Sequence, residues 1–402
     1  MAQGFNFGDT GFDDNDELFL TSSGTLANQR QCVRLSALSS RILDDSYPEM
    51  ERFSGSLGNF FTPRYRAALS GSGFADISPS LANQMLDYTH KGTNTVFASP
   101  TWFDVSARLN AQSEATSGNQ FLTWRTMGFK TVFDYIQKKL PDPRKNLDVE
   151  SKVQLNKEVT NINWSSRRVV ITLKDRTTIT ADHVICTVAL GVLKDRHPAL
   201  FTPPLPANKI NAINSIGFGT LGKVFLEFDQ PFWSFDPNVF IGYAFLWTDD
   251  DLKAVLQSDR AWLIDLTSFV RVDGYPNLLE GLISGRRVRE FENLSDTKII
   301  NDCMWLLRKF LNRNLPQPKS MNRTKWLTNR NFMGSYTYPS VDAERTKASS
   351  KDLARTLYNR ADKPLVLFAG EATDETFPSF AHGAVSSGWR AANELVTYLD
   401  SE

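Results

Sequence analysis

Glu371 is the acidic side chain whose neighbours most suggest chemistry. It stands in Phe368-Ala369-Gly370-Glu371-Ala372-Thr373, directly after the apolar run Leu365–Phe368, which is long enough for a buried strand. Gly370 permits a sharp exit from that strand and leaves Glu371 on a strand-end loop. A little further on, His382-Gly383-Ala384 opens a helix whose apolar positions Val385, Trp389, Ala392, Val396 and Leu399 fall on one face. Small residues Gly383, Ala384, Ser386, Ser387 and Gly388 crowd its first turns, so a ligand can approach the backbone N–H groups closely. An acid at a strand end beside such a helix start is where open α/β sheets take ligands. The same pattern also describes a plain strand–loop–helix unit of any doubly wound domain.

Lys223 is a second candidate. It begins the strand-like run Gly222-Lys223-Val224-Phe225-Leu226-Glu227-Phe228. A partly buried ammonium can lose some of its charge and take part in proton transfer; a lysine at a sheet end can equally extend its head into water. Trp326, Tyr336 and Phe380 offer ring faces that attract cations and methylenes, with ordinary core packing as the alternative for each. His382 reads as a structural histidine rather than a general base. Gly217, Gly219 and Gly222 satisfy G-x-G-x-x-G, and Gly217 to Lys223 nearly fits a phosphate loop, but Val224 stands where Ser or Thr is required. The residues that follow alternate like a strand, where both motifs need a helix, so nucleotide phosphates are not expected there.

These residues need a sizeable scaffold, and the composition allows one. The chain has 402 residues, 41% hydrophobic and 22% charged, enough for two or three packed cores. Forty-five basic residues balance 45 acidic ones, so nothing favours a nucleic-acid partner. Three cysteines, Cys32, Cys186 and Cys303, lie at no metal-binding spacing and imply a reduced, cytoplasmic protein with no metal. No apolar run is long enough to span a bilayer, no leader pattern opens the chain, and Leu-Asp-Ser-Glu at its end is no peroxisomal address.

Residues 1–120 read mainly as helices and loops, with Asp13-Asp14-Asn15-Asp16-Glu17 as a solvated loop. Leu35, Leu38 and Ile42 mark one amphipathic helix, and Ser78-Pro79 caps another carrying Leu81, Met85 and Leu86. A new pattern begins at Phe121: Val132, Phe133, Ile136 and Leu140 form a helix stopped by Pro141. Strands follow at Val159–Trp164, Val169–Leu173, Thr177–Thr180 and His183–Cys186, with Lys174-Asp175-Arg176 as a hairpin turn. From Leu205 a sheet is expected, then a long helix through Ile299, Cys303, Leu306 and Phe310 capped by Ser295. The expected segments are 1–120, 121–204, 205–333 and 334–402.

The Leu365–Leu399 stretch closely resembles the C-terminal FAD signature of the flavin amine oxidases, in the version of the polyamine and spermine oxidase branch. Val159-Thr160-Asn161-Ile162, Ala181–Thr187 and Leu190–Lys194 resemble the same family's middle FAD segment. Ile216–Phe228 with Pro231-Phe232-Trp233 resembles its substrate-domain sheet, and Trp326 with Gly334–Pro339 resembles its return to the flavin domain. The resemblance implies an α/β fold of two domains, with 121–204 and 334–402 belonging to the FAD-binding domain and 1–120 and 205–333 to the substrate domain. It implies non-covalent FAD, held by Val159, Trp326, Gly370, Glu371, Ala381, His382 and Gly383. Lys223 would reach the flavin N5 through a water, and Tyr336 and Phe380 would line the substrate channel. The implied reaction oxidises amines, polyamines foremost, with oxygen as final acceptor and hydrogen peroxide as product. Lys223, Trp326, Tyr336, Phe380 and Ala381 are thereby expected to converge on one cavity.

The family domain opens with a strand, a G-x-G-x-x-G turn and a helix, and no window of these 402 residues supplies that unit. The chain therefore reads as truncated, and the chain alone is expected neither to retain FAD nor to oxidise polyamines. The rival reading is a non-catalytic homologue or binding partner.

Overall fold

The computed structural model describes residues 8–9, 17–112, 122–123, 128–233 and 242–401; Asp13 to Asp16 and Phe121 lie outside them. The largest sheet has seven strands, in the order Ser320–Arg323, Gly222–Glu227, Tyr275–Ile283, Leu266–Val272, Gly242–Leu246, Glu17–Thr21 and Thr25–Leu26. Neighbours run antiparallel except Glu17–Thr21, which lies parallel to Gly242–Leu246.

Alternation fixes which side chains this sheet buries. Val224, Leu226, Leu279 and Ile283 face a core shared with Ile299, Cys303, Leu306 and Phe310 of the helix Asp296–Leu311. Ser295 caps that helix, its Oγ accepting from the Lys298 amide at 3.2 Å. The opposite face is covered at its Glu17 end by the helices Gln29–Asp44, Leu57–Leu69 and Pro79–Phe97, through Phe19, Leu35, Phe60 and Phe61. Lys223, Phe225, Glu280 and Leu282, at the other end, stay half-buried.

The first segment is therefore not all helix and loop. Glu17-Leu-Phe-Leu-Thr21 is a short apolar run whose partner lies far along the chain, and periodicity over so few residues does not separate strand from helix. Further on, Val169–Leu173 and Thr178–Ala181 form the hairpin, with Arg176 at φ +67° in its turn, and Val159–Asn163 and Phe201–Thr202 extend it to four strands.

Pro364–Phe368 is buried along its whole length, between Leu357–Tyr358 and the parallel strand Val184–Cys186. The helix Ala381–Ser401 packs on it in an orientation the apolar pattern alone would not give. Gly383, Ser387 and Ala391 are its buried residues, whereas Trp389, Val396 and Leu399 are exposed. The small residues allow a close approach that large ones would block. A Cβ on Gly383 would sit 1.9 Å from the Phe377 carbonyl oxygen. Ser387 Oγ accepts the Gly370 amide at 2.9 Å and donates to the Ala384 carbonyl at 2.8 Å.

This packing predicts an inverted mutational pattern. Ser387→Leu overfills the contact and costs about 1–3 kcal/mol, while Trp389→Ser, on the outward face, stays within about 0.5 kcal/mol of the parent. Urea unfolding of the two variants checks the orientation.

Candidate functional site

Glu371 begins a single 3-10 turn, Glu371–Thr373, just beyond the Pro364–Phe368 strand. Gly370 turns the chain there at φ +126°, and nothing lies within 4 Å of the place a Cβ would occupy. The Glu371 carboxylate accepts from the Thr337 hydroxyl at 2.8 Å, the Ser379 amide at 2.8 Å and the Thr337 amide at 3.4 Å. Ser379 Oγ donates in turn to the Thr337 carbonyl at 2.5 Å. One carboxylate thus ties together the strand Tyr336–Tyr338, the strand-end loop and the entrance to the Ala381 helix.

Burial pushes the Glu371 carboxyl above its ordinary value of 4.5, while the Thr337 hydroxyl and the Ser379 and Thr337 amides pull the other way. Under the same strand sits Lys209, whose Nζ lies 3.8 Å from the Phe368 ring centroid and donates to the Leu353 carbonyl at 2.5 Å. Burial pulls that lysine down to about 7.

The return segment connects this knot to Lys223. The strand Gly217–Gly219 pairs with Tyr336–Tyr338, and the Ser335 amide donates to the Gly219 carbonyl at 2.7 Å. Ser335 Oγ accepts the Leu221 amide at 3.0 Å. The Lys223 amide donates to Thr324 Oγ1 at 2.9 Å, and the Gly334 amide to the Trp326 carbonyl at 3.1 Å. Strands occupy both sides of the Gly217-x-Gly219-x-x-Gly222 turn, so that motif forms no helix start.

The candidate side chains are joined through backbone but divided among several cavities. Ala381 and His382 line a cavity of about 910 Å³ whose opposite wall is the Phe129–Leu147 segment. Gly370 and Glu371 line one of about 200 Å³ together with Cys186–Leu190 and Gly334. Trp326 lines a third, of about 470 Å³, with Asp296, Arg323 and Asn329. None of these three is lined by Lys223, Tyr336 or Phe380, so the expected single cavity is not found among them. Tyr336 spends its hydroxyl on the Thr95 and Val96 carbonyls, at 3.2 and 3.3 Å, and burial pushes it up to about 12. Phe380 is 55% exposed and stacks on the His382 ring at 5.2 Å, while Gly383 is buried. Trp326 meets Phe332 edge-on at 5.1 Å. Val159, 37% exposed, opens its strand next to Glu158, which pairs with Arg330 of the Trp326 loop at 2.5 Å.

Three participants were passed over in the sequence. Thr337 and Ser379 are short polar residues whose partner is fixed only by folding. Glu280 sits 2.6 Å from the Lys223 ammonium. The one signal for it was an acid inside the apolar alternation Leu278-Leu279-Glu280-Gly281-Leu282.

The sequence profile of the family described as "Flavin containing amine oxidoreductase" matches residues 20–396. The peroxisomal N(1)-acetyl-spermine/spermidine oxidase of Homo sapiens is 37% identical over 268 residues, which are 62% of this chain and 51% of that protein. The probable polyamine oxidase 5 of Arabidopsis thaliana is 28% identical over 67% of this chain and 54% of its own length. The possible lysine-specific histone demethylase 1 of Drosophila melanogaster is 33% identical over 63% of this chain and 28% of its own. The chain spans about half the length of the first two relatives. A solved structure of a redesigned putrescine oxidase superposes with a TM-score of 0.59 at 15% identity, covering 95% of this chain and 81% of that one. The two share the α/β, two-domain fold.

The Glu371 knot has a pH signature. A raised value means that folding favours the neutral carboxyl, so its contribution to stability is greatest below 4.5 and is lost as pH rises through the folded value. Glu371→Gln keeps an acceptor oxygen but cannot ionise. The stability of the parent relative to Glu371→Gln should therefore fall as pH rises above 4.5, as read by urea unfolding. Glu371→Ala, which strands the Thr337 and Ser379 donors, should cost about 1–3 kcal/mol at neutral pH.

Proposed function

Because the chain belongs to the family of flavin containing amine oxidoreductases, we propose that its site oxidises amines, polyamines foremost, at a non-covalently held FAD. The observation that carries this reading is the half-buried Glu371 knot, which ties the strand Tyr336–Tyr338, itself paired with Gly217–Gly219, and the Ala381 helix start to one strand end. Two features support a fit to a flavin nucleotide. Gly370, at positive φ, leaves open space where a side chain would stand, and Ala381 and His382 border a large cavity at the start of a helix of small residues.

On this reading Gly370, Glu371, Ala381, His382 and Gly383 would hold the flavin and ribityl end, with Trp326 and the backbone at Val159 as the further holders of FAD. The chemistry FAD supplies when bound is two-electron acceptance from the amine carbon, with oxygen as final acceptor and hydrogen peroxide as product. Lys223 Nζ, which meets Glu280 at 2.6 Å, would hold a water through an N–H bond and move a proton to or from it as the imine hydrolyses. Tyr336 and Phe380 present ring faces to the methylenes and cations of the substrate. The relatives named as acetyl-spermine/spermidine and polyamine oxidases support polyamines as the class. Three buried free thiols, Cys32, Cys186 and Cys303, suit the reducing cytoplasm, and no helix among the described residues is long and apolar enough to cross a membrane.

One observation favours a second reading, a partner protein that does not hold FAD. Trp389, Val396 and Leu399 present an exposed apolar stripe beside the parallel strands.

The two readings part in one experiment. The 402-residue protein is mixed with FAD, gel-filtered and assayed for peroxide with spermine. A yellow protein that forms peroxide supports the oxidase, with Lys223→Met slowing turnover by about a hundredfold or more. A colourless, inert protein contradicts it and favours the partner reading.

A further inference from the structure

The open face of the large sheet carries an acid with no assigned task. Burial alternates along Gly222–Glu227 and from Leu278 to Ile283, and the half-buried set there is Lys223, Phe225, Glu227, Leu278, Glu280 and Leu282; of its two acids, Glu227 is engaged by the Ser320 hydroxyl at 2.6 Å. Lys223 stands opposite Leu282, and Phe225 opposite Glu280. Lys223 and Glu280 are therefore diagonal neighbours on one face, with Phe225 and Leu282 completing the square. Lys223 Nζ lies 2.6 Å from Glu280 Oε1. That oxygen is shut off from solvent and meets the ammonium at ion-pair distance without hydrogen-bond alignment.

A carboxylate on an inner strand, walled by a phenylalanine and a leucine, loses solvation that a loosely aligned ion pair only partly returns. The group it holds is a primary ammonium on a chain of methylenes. A diamine or polyamine carries the same group on the same kind of chain, and the Phe225 ring and the Leu282 side chain suit its methylenes. We propose that Glu280 is the seat for a protonated nitrogen of the substrate, and that Lys223 keeps this seat until a substrate ammonium displaces it. The exchange breaks one ion pair and forms another, with no proton or electron transferred. It leaves Lys223 Nζ released for water. This deepens the amine-oxidation reading and rests on it. It also sets substrate choice: the nitrogen at the reacting carbon must be accompanied by a second, charged one, which a monoamine lacks.

The test is calorimetric titration of the 402-residue protein with putrescine and, separately, with butylamine. Glu280→Gln should lose about tenfold or more in putrescine affinity and with it the parent's preference for putrescine over butylamine, while Glu280→Asp keeps part of that preference. Lys223→Met, which removes the resident ammonium, should bind putrescine more tightly than the parent. Equal putrescine affinity in the parent and Glu280→Gln would overturn the proposal, as would weaker binding by Lys223→Met or no putrescine binding by the parent. Circular dichroism checks that each variant is folded; if Glu280→Gln is not, Glu280→Asp and Lys223→Met decide. FAD titration of the same samples separates the two levels. Failure to bind FAD counts against the oxidase reading, whereas the ammonium exchange stands or falls on the amine titrations.

Discussion

A single half-buried carboxylate holds the candidate site together. Glu371 gathers the Thr337 hydroxyl and amide and the Ser379 amide, and through them ties the strand Tyr336–Tyr338 to the strand-end loop and the entrance of the Ala381 helix. Its burial disfavours ionisation, while those donors favour it. Everything proposed for the site depends on this balance. It fixes the strand Tyr336–Tyr338, the strand fixes Gly217–Gly219, and that pairing leads directly into the strand bearing Lys223.

Small residues give the rest of the precision. Ser387 and Gly383 bring the Ala381 helix close to the strand-end loop, so the Gly370 amide finds its acceptor on the helix itself. The same packing turns Trp389, Val396 and Leu399 outward. The helix meets the strand through its small residues and Leu395, and closeness of approach decides which of its faces turns inward.

Much of the arrangement was legible in local pattern. The Ser295 and Ser78 caps, the hairpin around Arg176 and the buried Leu365–Phe368 strand follow from spacing and from short-range hydrogen-bond chemistry. The resemblance to the flavin amine oxidases rests on the same motifs that meet around Glu371. What stayed illegible depends on pairing across the fold. Glu17–Thr21 gives no local sign of a strand because its partner, Gly242–Leu246, is distant in sequence. Glu280 draws no notice in the sequence because only the register between Gly222–Glu227 and Tyr275–Ile283 brings it to Lys223. The outward turn of Trp389 follows from a contact between Gly383 and Phe377 that periodicity does not encode.

The central claim is that this knot serves a flavin that takes electrons from an amine. The most direct measurement is the flavin absorbance of the FAD-loaded protein under anaerobic conditions as spermine is added. The account predicts bleaching on addition of spermine and return of the yellow colour when oxygen is admitted. A bound flavin whose spectrum is unchanged by spermine would contradict it.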